Sequence, residues 1–230
     1  WESHLENWDM AGKSLTDNDM LLVKALKKLS LKNNKIGDQG ITHLSKVLDE
    51  INLEELNVLE NTFGEEGAKA LEPYSDIIGT SLGWKAGKTE WDISDKGLTD
   101  ASMPLIELLL SKSTELETLN MSNNKIGDKG MKMLSDILPK MKKLKVLYLD
   151  TNKIGDQGME TLSKVLPEMK GLTNLGVLGN SFGEKGVKVL EPYWKSIGTS
   201  LGWNAGKTGW DISGKELTDA WMPLIELLLS

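Results

Sequence analysis

The chain has 230 residues, a formal net charge of −7 and no cysteine, with 39% hydrophobic and 27% charged residues. This composition is typical of a folded chain rather than a disordered one, and the absence of cysteine excludes disulfides and thiolate metal sites. The acidic balance argues against nucleic acid or an anionic membrane as the main partner, since both attract basic surfaces, and it favours a basic protein ligand.

The longest apolar runs lie at residues 103–110 and 222–229. Each is much shorter than the roughly 20 residues needed to cross a bilayer, so no membrane span and no membrane partner are predicted. No signal peptide is visible, which together with the missing cysteines predicts a cytoplasmic protein. The first residue is Trp1 rather than Met, which suggests a fragment or a processed product.

Short apolar segments with the spacing of strands follow one another along the whole chain. In chain order their predicted centres are Trp8, Leu29, Leu56, Trp91, Leu119, Leu147, Leu175 and Trp210. Each leads into a turn and then a helical pattern, so the sequence predicts about eight strand–helix coils. The step from Trp8 to Leu29 is only 21 residues, and the sequence offers no physical account of it.

The unit is clearest in three consecutive copies that start at Leu116, Leu144 and Leu172, 28 residues apart. Each reads LxxLxLxxN, followed by a Gly-x-x-Gly turn and a helical stretch. The amide of Asn124, where the chain turns, is predicted to satisfy backbone groups of the neighbouring coil. Stacked copies would bury a continuous core that one copy cannot form alone.

The second half of the unit has the pattern of a helix. Gly127 and Gly130 frame the turn into it, and apolar residues between 131 and 141 recur at the spacing of one helix face. Pro139 and Pro167 fall late in this stretch in two successive copies, where the helix can end.

A longer period lies on top of the short one. Residues 84–111 and 203–230 are identical at 23 of 28 positions, with an offset of 119 residues. The sequence therefore predicts a single repeat domain, 1–230, made of higher-order units 1–83, 84–202 and a partial unit 203–230. Such near-identity suggests a recent duplication or deliberate design.

The LxxLxLxxN…IGDxGxxxLxxxL pattern resembles the leucine-rich repeats of the ribonuclease-inhibitor type, which also occur in the sensor arrays of Nod-like innate immune receptors. The resemblance covers nearly the whole chain. It implies an α/β solenoid, a right-handed horseshoe with a parallel sheet on its concave face and helices on its convex face. It also implies that partner proteins sit on the concave face or its rim. The Trp-centred coils and the absence of cysteines depart from the family pattern.

The segments "WKAGKTEW" and "WNAGKTGW" resemble the end of a phosphate-binding loop. The match fails by one residue, because Leu82 stands five positions before Gly87 where a glycine is needed. The segment also runs into a predicted strand rather than a helix. The sequence favours a structural connection without a nucleotide cofactor, in which the paired tryptophans, with Tyr74, Tyr193 and Trp194, fill the longer coils.

His4 and His43 are the only histidines, and neither belongs to a metal-spaced cluster or a catalytic set. No pair of carboxylates stands out as an acid–base pair by motif. The sequence therefore predicts no catalytic residue, no metal site and no enzymatic activity.

The predicted concave face is the candidate binding surface, because alternate residues of each strand point towards it. Tyr148 is the only aromatic residue there, with Val146 beside it and Leu178 one repeat further on, which is typical of an interface anchor. The predicted ligand-binding residues are Tyr148, Asp150, Val146, Asn120, Ser122, Asp92, Leu178 and Asp211. A chance composition on a surface without a natural partner is the alternative.

These observations favour a non-enzymatic protein–protein recognition module. The sensor array of an innate immune receptor and an inhibitor-like scaffold both stay open within this interpretation. The alternative is a designed or self-associating structural repeat protein, which the apolar end "LIELLLS" supports because such an end should pair with something. A third hypothesis, a nucleotide-dependent enzyme, rests only on the failed Gly-Lys-Thr match.

Overall fold

The structure is a computed structural model that describes residues 7–9, 27–203, 212–213 and 217–229. The predicted strand centre Trp210, the predicted site residue Asp211 and the second Gly-Lys-Thr segment lie outside these residues.

Strands and helices alternate along the described residues. The strands are β1 (Asn7–Asp9), β2 (Lys28–Ser30), β3 (Glu55–Asn57), β4 (Glu90–Asp92), β5 (Thr118–Asn120), β6 (Val146–Tyr148) and β7 (Asn174–Gly176). The α-helices are α1 (Asp38–Leu48), α2 (Glu65–Ala70), α3 (Ser75–Ser81), α4 (Met103–Ser111), α5 (Asp128–Ile137), α6 (Asp156–Val165), α7 (Glu184–Leu190), α8 (Trp194–Ser200) and α9 (Met222–Leu229).

The chain divides into two compact units. Unit 1 comprises Trp1–Lys88 and Ala101–Ser113, and unit 2 comprises Thr89–Asp100 and Thr114–Ser230. Unit 1 contains the parallel sheet β1-β2-β3, and unit 2 contains the parallel sheet β4-β5-β6-β7. The prediction of one domain with duplicated higher-order units stays a prediction.

The register of both sheets confirms seven of the eight predicted strand centres. In unit 1, Trp8 pairs with Leu29 and Leu29 with Leu56. In unit 2, the paired centres are Trp91, Leu119, Leu147 and Leu175. The short step from Trp8 to Leu29 therefore still joins neighbouring strands.

Six strand–helix repeats, beginning at β2 to β7, are complete in the described part of the chain, rather than the eight coils predicted. Residues 10–26, which follow β1, and residues 204–211, which include the predicted strand centre Trp210, lie outside the described part.

The core is built from the strand centres and from one face of each helix. Leu119, Leu147 and Leu175 are fully buried, as are Met131 and Leu134 of α5. As predicted, α5 and α6 each end before a proline, which lies in a short 3-10 turn. No helix in the described residues has the length and apolar character needed to cross a membrane.

In four repeats an asparagine hydrogen-bonds to the backbone of the preceding repeat, as predicted for Asn124. The Nδ2 group of Asn124 donates to the carbonyls of Ile93 and Met121 at 3.0 and 2.9 Å, and its Oδ1 accepts the N–H of Leu98 at 2.9 Å. These bonds satisfy a buried amide that would otherwise be costly. The same arrangement recurs at Asn61, Asn152 and Asn180.

A second set of bonds, which the sequence analysis did not foresee, joins neighbouring helices. Asp128 Oδ1 accepts the N–H groups of Gly155 and Gly158 at 2.7 and 2.9 Å, at the start of α6. Gly155 is the N-cap of α6 and has no side chain of its own to accept these bonds. We call this arrangement a carboxylate clamp; the others are Asp38 on Gly64 and Gly67, Asp100 on Gly127 and Gly130, and Asp156 on Gly183 and Gly186.

The clamp is one of two reasons why a glycine stands in the first turn of the clamped helix, the other being a close contact with the apolar side chain four residues earlier. A Cβ on Gly158 would lie 2.6 Å from Asp128 Oδ1 and even closer to Ile154 Cγ2. A Cβ on Gly67 would lie 2.8 Å from both Asp38 Oδ1 and Phe63 Cβ. Only glycine allows the carboxylate to approach the backbone this closely.

The longer repeats accommodate their extra residues as a second helix, α3 or α8, which packs on β3 or β7 respectively. Trp84 is buried against Gly79 and its Nε1 donates to Ser113 Oγ at 2.9 Å. In the later copy, Trp194 and Trp203 meet edge to face, with ring centroids 5.5 Å apart. The prediction that aromatic residues fill the longer coils is confirmed at these positions.

Candidate functional site

The candidate surface is formed by the residues that flank the buried centre of each strand in unit 2. Because side chains alternate along a strand, the first and third residues point away from the core. We call them the strand face: Glu90, Asp92, Thr118, Asn120, Val146, Tyr148, Asn174 and Gly176. Parallel pairing aligns these residues in two rows across β4 to β7.

Tyr148 is the only aromatic residue of the strand face, and it is half-buried. Its neighbours in the row are Asn120 on β5 and Gly176 on β7. A Cβ built on Gly176 would lie 2.8 Å from Tyr148 Cδ1 and would collide with the carboxylate of Asp150. The side chains of Tyr148 and Asp150 therefore lie directly against the backbone of Gly176.

Three of the predicted site residues bond to one another or to their own loops. Asp92 Oδ1 accepts the N–H of Ser94 at 2.9 Å and its hydroxyl at 2.7 Å. Asn120 Oδ1 accepts the N–H of Ser122 at 3.1 Å. The side chain of Asn120 also helps to lower the pKa of Asp92. These contacts fix the orientation of the polar groups of β4 and β5.

Asp150 accepts a comparable bond from the neighbouring repeat. Gly176 stands where the equivalent residues of earlier repeats are Asp92 and Asn120, and it has no side chain to accept a bond. The N–H of Leu178 instead bonds to Asp150 Oδ1 of the preceding repeat, at 2.9 Å. Asp150 therefore supports the loop after β7 as well as placing a charge beside Tyr148.

Leu178 departs from the expectation that it faces a ligand, because it is only 8% exposed. The strand ends at Gly176, so the alternation that directs the residues of β7 outward does not extend to position 178. Its equivalent in unit 1, Leu59, is buried as well. The structure thus brings together Val146, Tyr148 and Asp150, and leaves Leu178 in the core.

The strand face is negatively charged at neutral pH. The hydroxyl of Ser94, followed by its backbone N–H, holds the pKa of Asp92 below its ordinary value, and the nearby Lys96 acts in the same direction. Glu90, at the start of the same strand, is exposed. Asp150 adds a third carboxylate near Tyr148.

The backbone next to Asp150 is strained. Thr151 has a φ of 53°, in the left-handed region that β-branched residues rarely adopt. Asn123 and Gly179, which tolerate that conformation better, occupy the corresponding positions of the neighbouring repeats. Such strain is often found at binding sites, and here it lies one residue after Asp150, whose carboxylate accepts the N–H of Leu178.

The first Gly-Lys-Thr segment lies in the loop that connects α3 to β4, as predicted for a structural connection. Gly87 lies in a turn with a φ of 80°, and Thr89 directly precedes β4 rather than a helix. In the described part of the chain, no group of three or more histidine, aspartate or glutamate residues could hold a metal ion.

The family described as Leucine Rich repeat matches the sequence at residues 25–45, 51–71, 112–135 and 140–163. The chain contains leucine-rich repeats. The last two matched segments include β5 and β6 and contain five of the eight predicted binding residues, namely Asn120, Ser122, Val146, Tyr148 and Asp150.

Among solved structures, these leucine-rich repeats are similar to an internalin from Listeria monocytogenes, with 21% sequence identity and a TM-score of 0.30. The match covers 76% of this chain and 48% of the internalin, so the chain spans about half the length of that protein. No match was found among the curated proteins.

Proposed function

We propose that this chain is a protein-recognition module that binds a protein ligand on the strand face of unit 2. The observation that carries the proposal is the position of Tyr148 over the bare backbone of Gly176. A tyrosine packed against the backbone of a strand offers a large contact area at little cost in side-chain entropy, which is why tyrosine is enriched among interface anchors. Val146, two residues earlier on the same strand, adds an apolar contact.

The charge of the surface supports a basic ligand. Glu90, Asp92 and Asp150 lie along or beside the rows of the strand face, and the whole chain has a net charge of −7. Complementary charges steer association and select the partner more than they add to affinity. A lysine or arginine of the ligand placed beside Asp150 would match this arrangement.

Leucine-rich repeats generally serve protein interaction rather than catalysis, and we propose no enzymatic role for this chain. Its resemblance to the ribonuclease-inhibitor type supports two settings for the module, the sensor array of a Nod-like innate immune receptor or an inhibitor-like scaffold. A cytoplasmic location is part of the same proposal.

Site-specific photo-crosslinking tests the strand face directly. A photoreactive amino acid replaces Tyr148 in one variant and Asp136, an exposed residue of α5, in another. After irradiation in a cell extract, we expect a protein adduct from position 148 and not from position 136. Equal adducts from both positions would contradict recognition through the strand face.

Substitutions then separate charge from fold. Asp150→Asn removes the charge but keeps an oxygen that can accept the N–H of Leu178, whereas Asp150→Ala would also disturb the loop. We expect Asp150→Asn to weaken the binding of the crosslinked protein and to make that binding less dependent on salt concentration. Asp136→Asn, which makes the same charge change on α5, should alter neither the binding nor its salt dependence.

A second candidate function is self-association, as expected of a structural repeat protein without a separate ligand. It is favoured by two large apolar side chains of α9, Met222 and Leu229, which are exposed. Light scattering over a wide concentration range measures it, and a constant monomer mass counts against it.

A further inference from the structure

A groove that is open to solvent runs between α2 and α4, both of which belong to unit 1. Its volume is about 330 Å³. Each side is lined by four residues with the spacing i, i+3, i+4, i+7, which forms one stripe along a helix. We call it the α2–α4 groove; its lining residues are Glu65, Ala68, Lys69 and Glu72 from α2 and the turn after it, and Pro104, Glu107, Leu108 and Ser111 from α4.

The floor of the α2–α4 groove is apolar, and a small residue on α2 leaves it open. Ala68 is buried and stands where α1 and α5 carry the larger, fully buried Ile41 and Met131. The short side chain leaves unfilled the space between the helices that a larger one would occupy. On the facing helix, Pro104 is buried and Leu108 is half-buried. An apolar side chain of another protein would remove this surface from water.

The rim of the groove is acidic. Glu65 and Glu72 are exposed and Glu107 is half-buried, while Lys69 is the one cation among the eight lining residues. The Glu72 carboxylate lies 3.5 Å from Lys112 Nζ at the end of α4, so an ion pair joins the two sides where the groove ends. Three carboxylates around an apolar floor complement a ligand that carries apolar side chains flanked by lysine or arginine.

We propose that the α2–α4 groove binds a basic amphipathic α-helix of a partner protein. Two helix stripes side by side form a channel into which the ridge of a third helix packs, and an amphipathic helix in such a groove is a recurrent mode of recognition. Each stripe is about 10 Å long, so the ligand helix contributes about two turns. Its apolar residues contact Ala68 and Leu108, and its lysines or arginines pair with Glu65 and Glu107.

The 119-residue copy within the chain supplies matched substitutions for a test. The copy has the same residue type at seven of the eight lining positions, and Val187 in place of Ala68. Just outside the lining, Glu66 of α2 is exposed and corresponds to Lys185 of α7. Valine at position 68 and lysine at position 66 are therefore residues that this type of helix accommodates.

A synthetic peptide and two charge reversals test the proposal on the full chain. The probe is a fluorescein-labelled, alanine-based helix of about 15 residues, with leucines along one stripe and lysines on either side of it. Fluorescence anisotropy measures its affinity. Glu65→Lys should weaken binding by about tenfold or more, because it opposes like charges in the groove. Glu66→Lys makes the same charge change one residue away and should leave the affinity within about twofold of the wild type.

A third variant tests the floor without changing any charge. Ala68→Val fills part of the groove and should weaken binding of the peptide severalfold, because the ligand helix then meets an overfilled site. Thermal unfolding followed by circular dichroism checks that the three variants are folded. Tyr148→Ala, on the strand face, should leave the affinity for the peptide unchanged.

Four results would overturn the proposal. Equal affinities of Glu65→Lys and Glu66→Lys would mean that the peptide responds only to net charge. Equal affinity for a probe with a central proline, which cannot stay helical, would exclude a helix as the ligand. The third is the absence of saturable binding up to about 1 mM peptide. The fourth is a dimer of the wild type that Glu65→Lys abolishes, which would identify a second copy of the chain as the occupant. The groove shares no residue with the strand face, so either proposal can fail alone.

Discussion

Replacing Asp128 by alanine should measure what a carboxylate clamp contributes to stability. The change removes two charged hydrogen bonds, of 2.7 and 2.9 Å, from the N–H groups of Gly155 and Gly158. Loss of an N-cap costs about 0.5–2 kcal/mol, and two hydrogen bonds to a charged group would contribute about 3–6 kcal/mol. Because Asp128 is only half-buried, we expect a loss between these ranges, about 2–3 kcal/mol. Asp128→Asn keeps an acceptor oxygen and loses only the attraction to the helix dipole, about 0.3–1 kcal/mol.

Urea unfolding followed by circular dichroism is the assay for this prediction. With a slope of about 2–3 kcal/mol per molar urea, the midpoint of the Asp128→Ala variant should fall by about 1 M while the slope stays unchanged. The control is Asp136→Ala, which removes the same charge from an exposed position of the same helix and should change stability by less than about 0.5 kcal/mol. Equal midpoints for the two alanine variants would refute the idea that the clamp secures α6.

Three further predictions concern single positions. Gly158→Ala should destabilise the fold by about 1–3 kcal/mol, because the new Cβ would lie 2.6 Å from the clamp oxygen and even closer to Ile154 Cγ2, and a urea midpoint equal to that of the wild type would contradict this. Thr151→Asn should raise the free energy of unfolding by about 1 kcal/mol, since asparagine tolerates the left-handed backbone that Asn123 adopts in the preceding repeat; lower stability would show that the threonine is not strained. Ser94→Ala should raise the pKa of Asp92 towards its ordinary value, as measured by carboxyl NMR titration, because the hydroxyl bond is the largest cause of its lowering. The stabilisation linked to that lowered pKa is present above about pH 4, where an unfolded aspartate titrates, and is lost as the pH falls through the native value, so the variant should lose less stability on acidification.

The strands and the asparagine bonds could be predicted because both leave a periodic signal in the sequence. The centres Leu119, Leu147 and Leu175 recur every 28 residues, and the register pairs them as expected. Asn124 follows its strand at a fixed distance, and a buried amide at a turn must bond to the backbone around it. In both cases the 28-residue period alone identifies the residue and the repeat to which it bonds.

The details of the candidate site could not be read in the same way. The burial of Leu178 depends on where β7 ends, and a period of two residues carries no information beyond the last residue of a strand. The N–H of Leu178 donates to Asp150 because Gly176, in the same repeat as Leu178, has no side chain that could accept this bond. The role of Asp150 therefore depends on the residue type at position 176 of the next repeat. The clamp at Asp128 did leave a signal, the recurring Gly-Asp-x-Gly, but the bonded glycines belong to the following copy.

The clamp also has a consequence for how the chain folds. Each clamp bond joins residues only 26 to 30 positions apart, from Asp38 to Asp156. Folding is faster when contacts are local in sequence, because the loop entropy of each closing step is small. Each folded repeat that carries a clamp presents a ready acceptor to the helix of the next, so within unit 2 order can nucleate at one repeat and extend to its neighbours one at a time.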